Sequence, residues 1–322
     1  MRYLCILALF ISQASFACMN IEGVTLEGTY GMSSGESHID FLRARMAADP
    51  SSKLMALKGG PKERTNLETK LVKDPEDGEV PAIKDILTGN YTGAIEKLSA
   101  LEDASPGSYS VAANLGTAYE LAGDNVKALH WIEEGIKRND NSHYGTEWLH
   151  VKILEAKIAV ESDPDYLKTQ HILDFPEEEM RNGNFIYRYR DREIHQSKLL
   201  DALHYQLGER MLFVKPTDPV VADLLYSFAV LEANTRVLEP AVELLGLAKS
   251  YGYYDVADID ERLARYNHTI DTTSKIHPRV VVEFVLVGTL FLFLLLLGFL
   301  VARSFYRLIR PPKPPTLDNF GE

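Results

Sequence analysis

The feature that most limits what this chain can become is a recurrence at 34 residues. Gly89-Asn90-Tyr91 and Gly123-Asp124-Asn125 are 34 apart, and the same shift carries Ala94 onto Ala128 and Leu98 onto Ile132. In each triplet the glycine admits the left-handed end of one helix, and the following Asn or Asp caps the start of the next. A helical hairpin of this size buries its apolar stripe only against a neighbour, so repetition predicts an array of stacked hairpins.

The unit at 109–142 carries Leu115, Gly116 and Tyr119 as L-G-x-x-Y, followed by Gly123, Ala128, Ile132 and Gly135. It resembles the tetratricopeptide repeat (TPR). Gly116 and Ala128 let two helix backbones approach, while Leu115, Tyr119 and Ile132 fill the groove between them. The unit at 75–108 ends near Pro106, but Pro81 stands at a large apolar position of its first helix, which predicts a frayed helix there. A degenerate unit fits 222–255, with Phe228, Ala229, Ala241, Leu245 and Ala248 in the large and small places. Ala128 to Ala241 is 113 residues, three periods plus 11, so an insertion is expected at 174–192.

Between these units the patterning predicts a helix over 143–161, a short one from Asp163-Pro164 to Leu173, and another over 193–215. Ile259, Leu263 and Tyr266 on one stripe make 255–266 a polar capping helix. The expected fold class is therefore all-α: a TPR-like helical repeat array (α-solenoid) over 75–267, followed by a linker at 268–279 and one C-terminal transmembrane helix. Residues 18–74 read as an irregular N-terminal segment with one helix from His38 to Ala48, lying along the array or partly disordered.

Both ends are apolar. Arg2, the run Leu4 to Ile11 and the small residues Ser15 and Ala17 describe a signal peptide over 1–17, too short to span a bilayer. Cys18 directly after it offers a second reading, lipidation, although Ser15 and Phe16 depart from a lipoprotein box. Residues 280–302 form a 23-residue apolar run with one charge, Glu283. At 1.5 Å per residue that is roughly 35 Å, enough to cross the hydrocarbon core, with Glu283 near the interface. Arg303, Arg307, Arg310 and Lys313 follow in a tail at 303–322, against Arg265, Lys275 and Arg279 before the run. The signal therefore decides orientation: an extracytoplasmic ectodomain, periplasmic in a Gram-negative envelope, and a short cytoplasmic tail. RPPKPP at 310–315 reads as a stiff stop after the anchor.

Charge narrows the partners. The chain holds 34 Lys+Arg and 46 Asp+Glu, a formal net charge of −12. Setting aside Arg2, Arg279, Glu283, Arg303, Arg307, Arg310, Lys313, Asp318 and Glu322, residues 18–278 carry 28 basic and 43 acidic side chains, a net −15. Such a surface repels phosphate backbones, so no nucleic acid is expected. Two cysteines, both at the N-terminus, exclude a disulfide framework and a cysteine zinc site. Catalytic fingerprints such as GxSxG, HExxH and the Walker loop are absent from the sequence. His143 and His150 are seven apart on one helical face without an obvious third ligand. Asp255, Asp258 and Asp260 lack the glycine and distal glutamate of a calcium loop. No metal or cofactor is expected.

Two groups remain as candidates for partner binding. The TPR resemblance implies a concave face lined by the first helix of each repeat, which places Ser110, Ala113, Asn114, Thr117 and Glu120 on it. Asn114 matches the asparagine that some TPR domains use to clamp a terminal carboxylate. Glu79 and Ile83 stand where that clamp has lysines, so the ligand stays open. The second group is Tyr187, Arg188, Tyr189 and Arg190 on the insertion, residue types enriched at interface hot spots; the aromatic rings there could instead pack the insertion onto the array. The sequons Asn90-Tyr-Thr92 and Asn267-His-Thr269 would matter only in a eukaryotic secretory pathway. The functional expectation is a membrane-anchored, non-catalytic module binding a protein or peptide at a bacterial envelope. The alternatives are an envelope enzyme with an unrecognised site, or a subunit packing through its transmembrane helix.

Overall fold

A computed structural model describes residues 22–32, 38–51, 78–174, 176, 180, 185–274 and 278–309. The chain divides into two compact units, Met1–Ile270 and Asp271–Glu322. Twelve α-helices and two short antiparallel hairpins are formed among the described residues. The 1–17 signal, Cys18 and the 310–315 run lie outside them.

The regular part begins with α2 (Glu79–Leu87) and α3 (Tyr91–Ala104), then α4 (Tyr109–Leu121) and α5 (Asn125–Arg138). Consecutive helices pack against one another, α2 on α3, α3 on α4 and α4 on α5. The two turns are superposable in their chemistry. Gly89 and Gly123 have φ of 81° and 86°. Asn90 then accepts from the Gly93 N–H at 3.3 Å, and Asp124 from the Lys127 N–H at 3.1 Å. Gly116 is required for the close approach: a Cβ there would lie 2.4 Å from Ile132 Cδ1 and 3.2 Å from Ile132 N. Pro81 falls in the first turn of α2, where its missing N–H costs nothing, and α2 has 9 residues against 13 in α4. Small separate cores result, one of Ala82, Ile86, Ala94, Leu98, Val111, Leu115 and Ala118, another of Ala128, Ile132, Val151 and Leu154.

After α5 the regularity ends. The helix expected over 143–161 is α6, Glu147–Ser162. It starts later because His143, Tyr144 and Gly145 have φ of 48°, 60° and 73°, a left-handed turn that no α-helix can include. The short helix α7 covers only Tyr166–Thr169; the buried Asp223 carboxylate takes the Ile172 N–H at 2.9 Å and holds that stretch open. Within the expected insertion, strand β3 (Ile186–Tyr189) pairs antiparallel with β4 (Arg192–His195), Tyr187 opposite Ile194. The helix placed over 193–215 therefore starts at Gln196, as α8 (Gln196–Phe213).

α9 (Pro219–Thr235) and α10 (Leu238–Tyr251) form the pair expected at 222–255, capped by Asp218, which accepts from the Val221 N–H at 2.8 Å. The N-terminal segment is more ordered than expected where it is described. Strands β1 (Glu22–Val24) and β2 (Tyr30–Met32) form a hairpin whose Val24 N–H binds Glu239 at 3.0 Å, and α1 (His38–Ala47) packs on α8. Val24, Ile39 and Leu42 join α6, α8, α9 and α10 in one large core that includes Trp148, Leu203, Phe228, Tyr251 and Tyr266.

α11 runs Val256–Ser274. Ile259 and Tyr266 are fully buried, as a capping stripe should be. The helix reaches into the expected linker as far as Ser274, and Thr269 within it donates its hydroxyl to the Arg265 carbonyl at 3.1 Å. α12 (Pro278–Ile309) is the long apolar helix. Its stretch 285–309 is long and apolar enough to cross a membrane and is exposed throughout. It continues through Arg303 and Arg307 instead of stopping at 302.

Candidate interaction surface

Asn114, Thr117 and Glu120 lie along one face of α4, and each makes hydrogen bonds or ion pairs within the molecule. Glu79, buried at the start of α2, accepts from Ser110 Oγ at 2.6 Å and from Asn114 Nδ2 at 3.3 Å. Thr117 donates to the Ala113 carbonyl one turn back, at 3.1 Å. Glu120 meets three nitrogen-bearing side chains from two other helices: His150 Nε2 at 2.8 Å and Lys157 Nζ at 3.1 Å on α6, and Arg210 Nη2 at 3.4 Å on α8.

The network extends beyond Glu120. Glu147, nearly inaccessible, meets His143 Nδ1 and, at 3.3 Å, His150 Nδ1. Arg210 donates to Gln206 Oε1 at 2.6 Å, and Gln206 to Thr146 Oγ1 at 3.2 Å. Burial by itself would raise both carboxyls; Arg210, His150 and Lys157 hold Glu120 well below the usual range, and His143 and His150 do the same for Glu147. His143, opposed by burial, is raised by Glu147. Tyr109 Oη lies 3.1 Å from His143 Nδ1, and the Tyr205 ring stacks on the imidazole. Sequence spacing put His143 and His150 on one face; their shared partner is a carboxylate. Among the described residues no group of His, Cys, Asp or Glu side chains is arranged to hold a metal.

The insertion residues divide by strand alternation. Tyr187 is buried, its hydroxyl pushed up to about 12 by burial and by Asp174 and Glu155. It faces Trp148, as does Tyr189, with ring centroids 5.9 Å apart in both pairs. Lys152 lies 5.0 Å over the Tyr189 ring. Arg188 and Arg190 are exposed, while Arg192, opposite Tyr189 in the pairing, is half-buried. Their acid partners are exposed or half-exposed: Glu193 for Arg188 at 3.2 Å, Glu133 at 3.1 Å and Glu155 at 2.9 Å for Arg190, whose guanidinium also lies 5.2 Å over the Tyr189 ring, and Asp140 for Arg192 at 3.2 Å. Exposed pairs of this kind are worth about 0–1 kcal/mol each, so a partner can exchange for them at little cost.

Sequence reasoning did not find Arg210 as a partner of Glu120, nor Glu232. Glu232 is fully buried on α9, with Arg236 Nη1 3.7 Å away and neither carboxylate oxygen hydrogen-bonded. Burial lifts its carboxyl to about 7. An acid set in the apolar stretch 228–233 of α9 was the available signal. The chain matches no protein-family model and no curated protein.

Proposed function

We propose that this chain is a membrane-anchored TPR-type module that binds a protein or peptide partner outside the cytoplasm. The observation that carries this reading is the pair of turns at Gly89-Asn90 and Gly123-Asp124, identical in left-handed glycine and side-chain cap at the repeat spacing. Helical hairpins stacked in this way offer extended surfaces without a catalytic centre. The exposed apolar helix at 285–309 supports an anchor that concentrates the module at a membrane. Because Glu120 and Asn114 on the α4 stripe already have partners within the chain while Arg188 and Arg190 are exposed, we place the binding surface on the hairpin, through Arg188 and Arg190.

Chemical crosslinking in intact membranes followed by mass spectrometry tests this. A reproducible protein partner is expected. Recovery of none, or turnover of an envelope substrate abolished by one carboxylate or histidine change, would replace this reading with the enzyme one. The subunit reading draws on the full exposure of 285–309. Exchanging 280–302 for an unrelated apolar helix separates the two, since an anchor tolerates the swap and a packed subunit does not.

A further inference from the structure

The last two turns of α12 differ from the rest of the helix. From 285 to 302 every side chain except Gly288, Thr289, Gly298 and Ala302 is a large apolar one. From 303 onward the helix becomes two-faced without interruption. At 3.6 residues per turn, Arg303 and Arg307 lie about 40° apart, and Tyr306 lies about 60° to the other side of Arg303. Leu308, Phe305 and Ile309 fall on the opposite face by the same count. All of these side chains are exposed, Phe305 at 63%, Tyr306 at 65% and Leu308 at 83%.

No acid is near in sequence to neutralise the arginines. Between Glu283 and Asp318 the chain has no Asp or Glu, while Arg310 and Lys313 add two further positive charges. The sign is opposite to that of residues 18–278. Residues 280–302 already cover roughly 35 Å, which exceeds a hydrocarbon core of about 30 Å. In a spanning helix Arg303 therefore emerges at headgroup depth, and Arg307 one turn further out. A tyrosine beside them is the side chain that settles at that depth.

We infer that Arg303, Arg307 and Tyr306 form a binding stripe for anionic phospholipid headgroups, with Phe305, Leu308 and Ile309 seated in the interface behind it. The stripe would fix the depth and rotation of the helix, and would make the choice of lipids around it depend on headgroup charge and ionic strength. This rests on the reading of α12 as a membrane span.

The test uses the full chain reconstituted in phosphatidylcholine vesicles containing trace spin-labelled phosphatidylglycerol or spin-labelled phosphatidylcholine. The wild type should select phosphatidylglycerol at low salt, by up to roughly fivefold per arginine. R303Q/R307Q should lose most of that preference, and R303K/R307K should keep most of it. Flotation with the vesicles reports insertion separately. Equal lipid selection by wild type and R303Q/R307Q, with both floating, would overturn the stripe and leave the span standing. A chain that does not float would remove the span, and the stripe with it.

Discussion

Residues 78–138 are helices packed in sequence order, residues 185–270 a strand hairpin followed by helices, and the two are held in different ways. The first region is modular: two small cores, two glycine turns of the same conformation and caps that repeat at one spacing. Arg138 of α5 clamps Glu102 of α3 with two hydrogen bonds, at 2.9 and 2.7 Å. In the second region one continuous core takes in α6, α8, α9, α10, the β3–β4 hairpin and the N-terminal segment. Its α9–α10 connection is Arg236-Val237, with no glycine and no side-chain cap. Local rules suffice where each hairpin meets only its neighbours. Where segments distant in sequence share one core, their pairings decide the structure.

The buried acids give the sharpest form of the contrast. Glu120, at the junction of the two regions, has two cations, Lys157 and Arg210, and the His150 imidazole; Glu232, inside the second, has one cation at 3.7 Å. Glu120→Leu leaves Arg210 buried without its charge and should cost about 3–5 kcal/mol in urea denaturation. Adding Arg210→Met should recover a large share, and strictly additive losses would show that the two do not act as a pair.

Glu232 should behave in the opposite sense. Its folded value, about 7, lies above the ordinary 4.5. Its protonated form therefore favours the fold below 4.5, and that stability is lost as pH rises from 4.5 to 7. Glu232→Gln should leave stability at pH 4 nearly unchanged and raise it by roughly 3 kcal/mol above pH 7. A variant equally stable or less stable at pH 8 would show that Arg236 compensates the charge after all.

Smaller effects probe the modular region. Gly116→Ala should cost about 1–3 kcal/mol through crowding on Ile132, and Ile132→Val in the same chain should relieve part of it. Asn90→Ala and Asp124→Ala should each cost about 1 kcal/mol. Thermal unfolding of the two cap variants side by side checks whether the turns are as alike in energy as in geometry. A loss at one turn alone would break the equivalence.

The same division governs what could be read from the residues. Gly89, Asn90, Gly123 and Asp124 announce their roles because capping and left-handed turns depend on adjacent residues. Gly116 was legible because only a small side chain fits a crossing of helices. The late start of α6 was not, since His143 and Tyr144 have no local reason to take positive φ; contacts with Glu147, Tyr109 and Tyr205 hold that turn. Glu120 was correctly placed on the α4 face, but its partner Arg210 is 90 residues away. No periodicity links them. The aromatic–basic alternation at 186–190 was read only as part of an insertion; its strand pairing with 192–195, and what each face met, had to come from the fold.

Photocrosslinking from two positions in native membranes tests the central claim most directly. A photoreactive residue replacing Arg188, on the hairpin tip, should yield a reproducible adduct with a second protein. The same residue replacing Thr117, on the α4 stripe, should yield only adducts within the chain. A partner captured from position 117 and none from position 188 would contradict the assignment of binding to the hairpin.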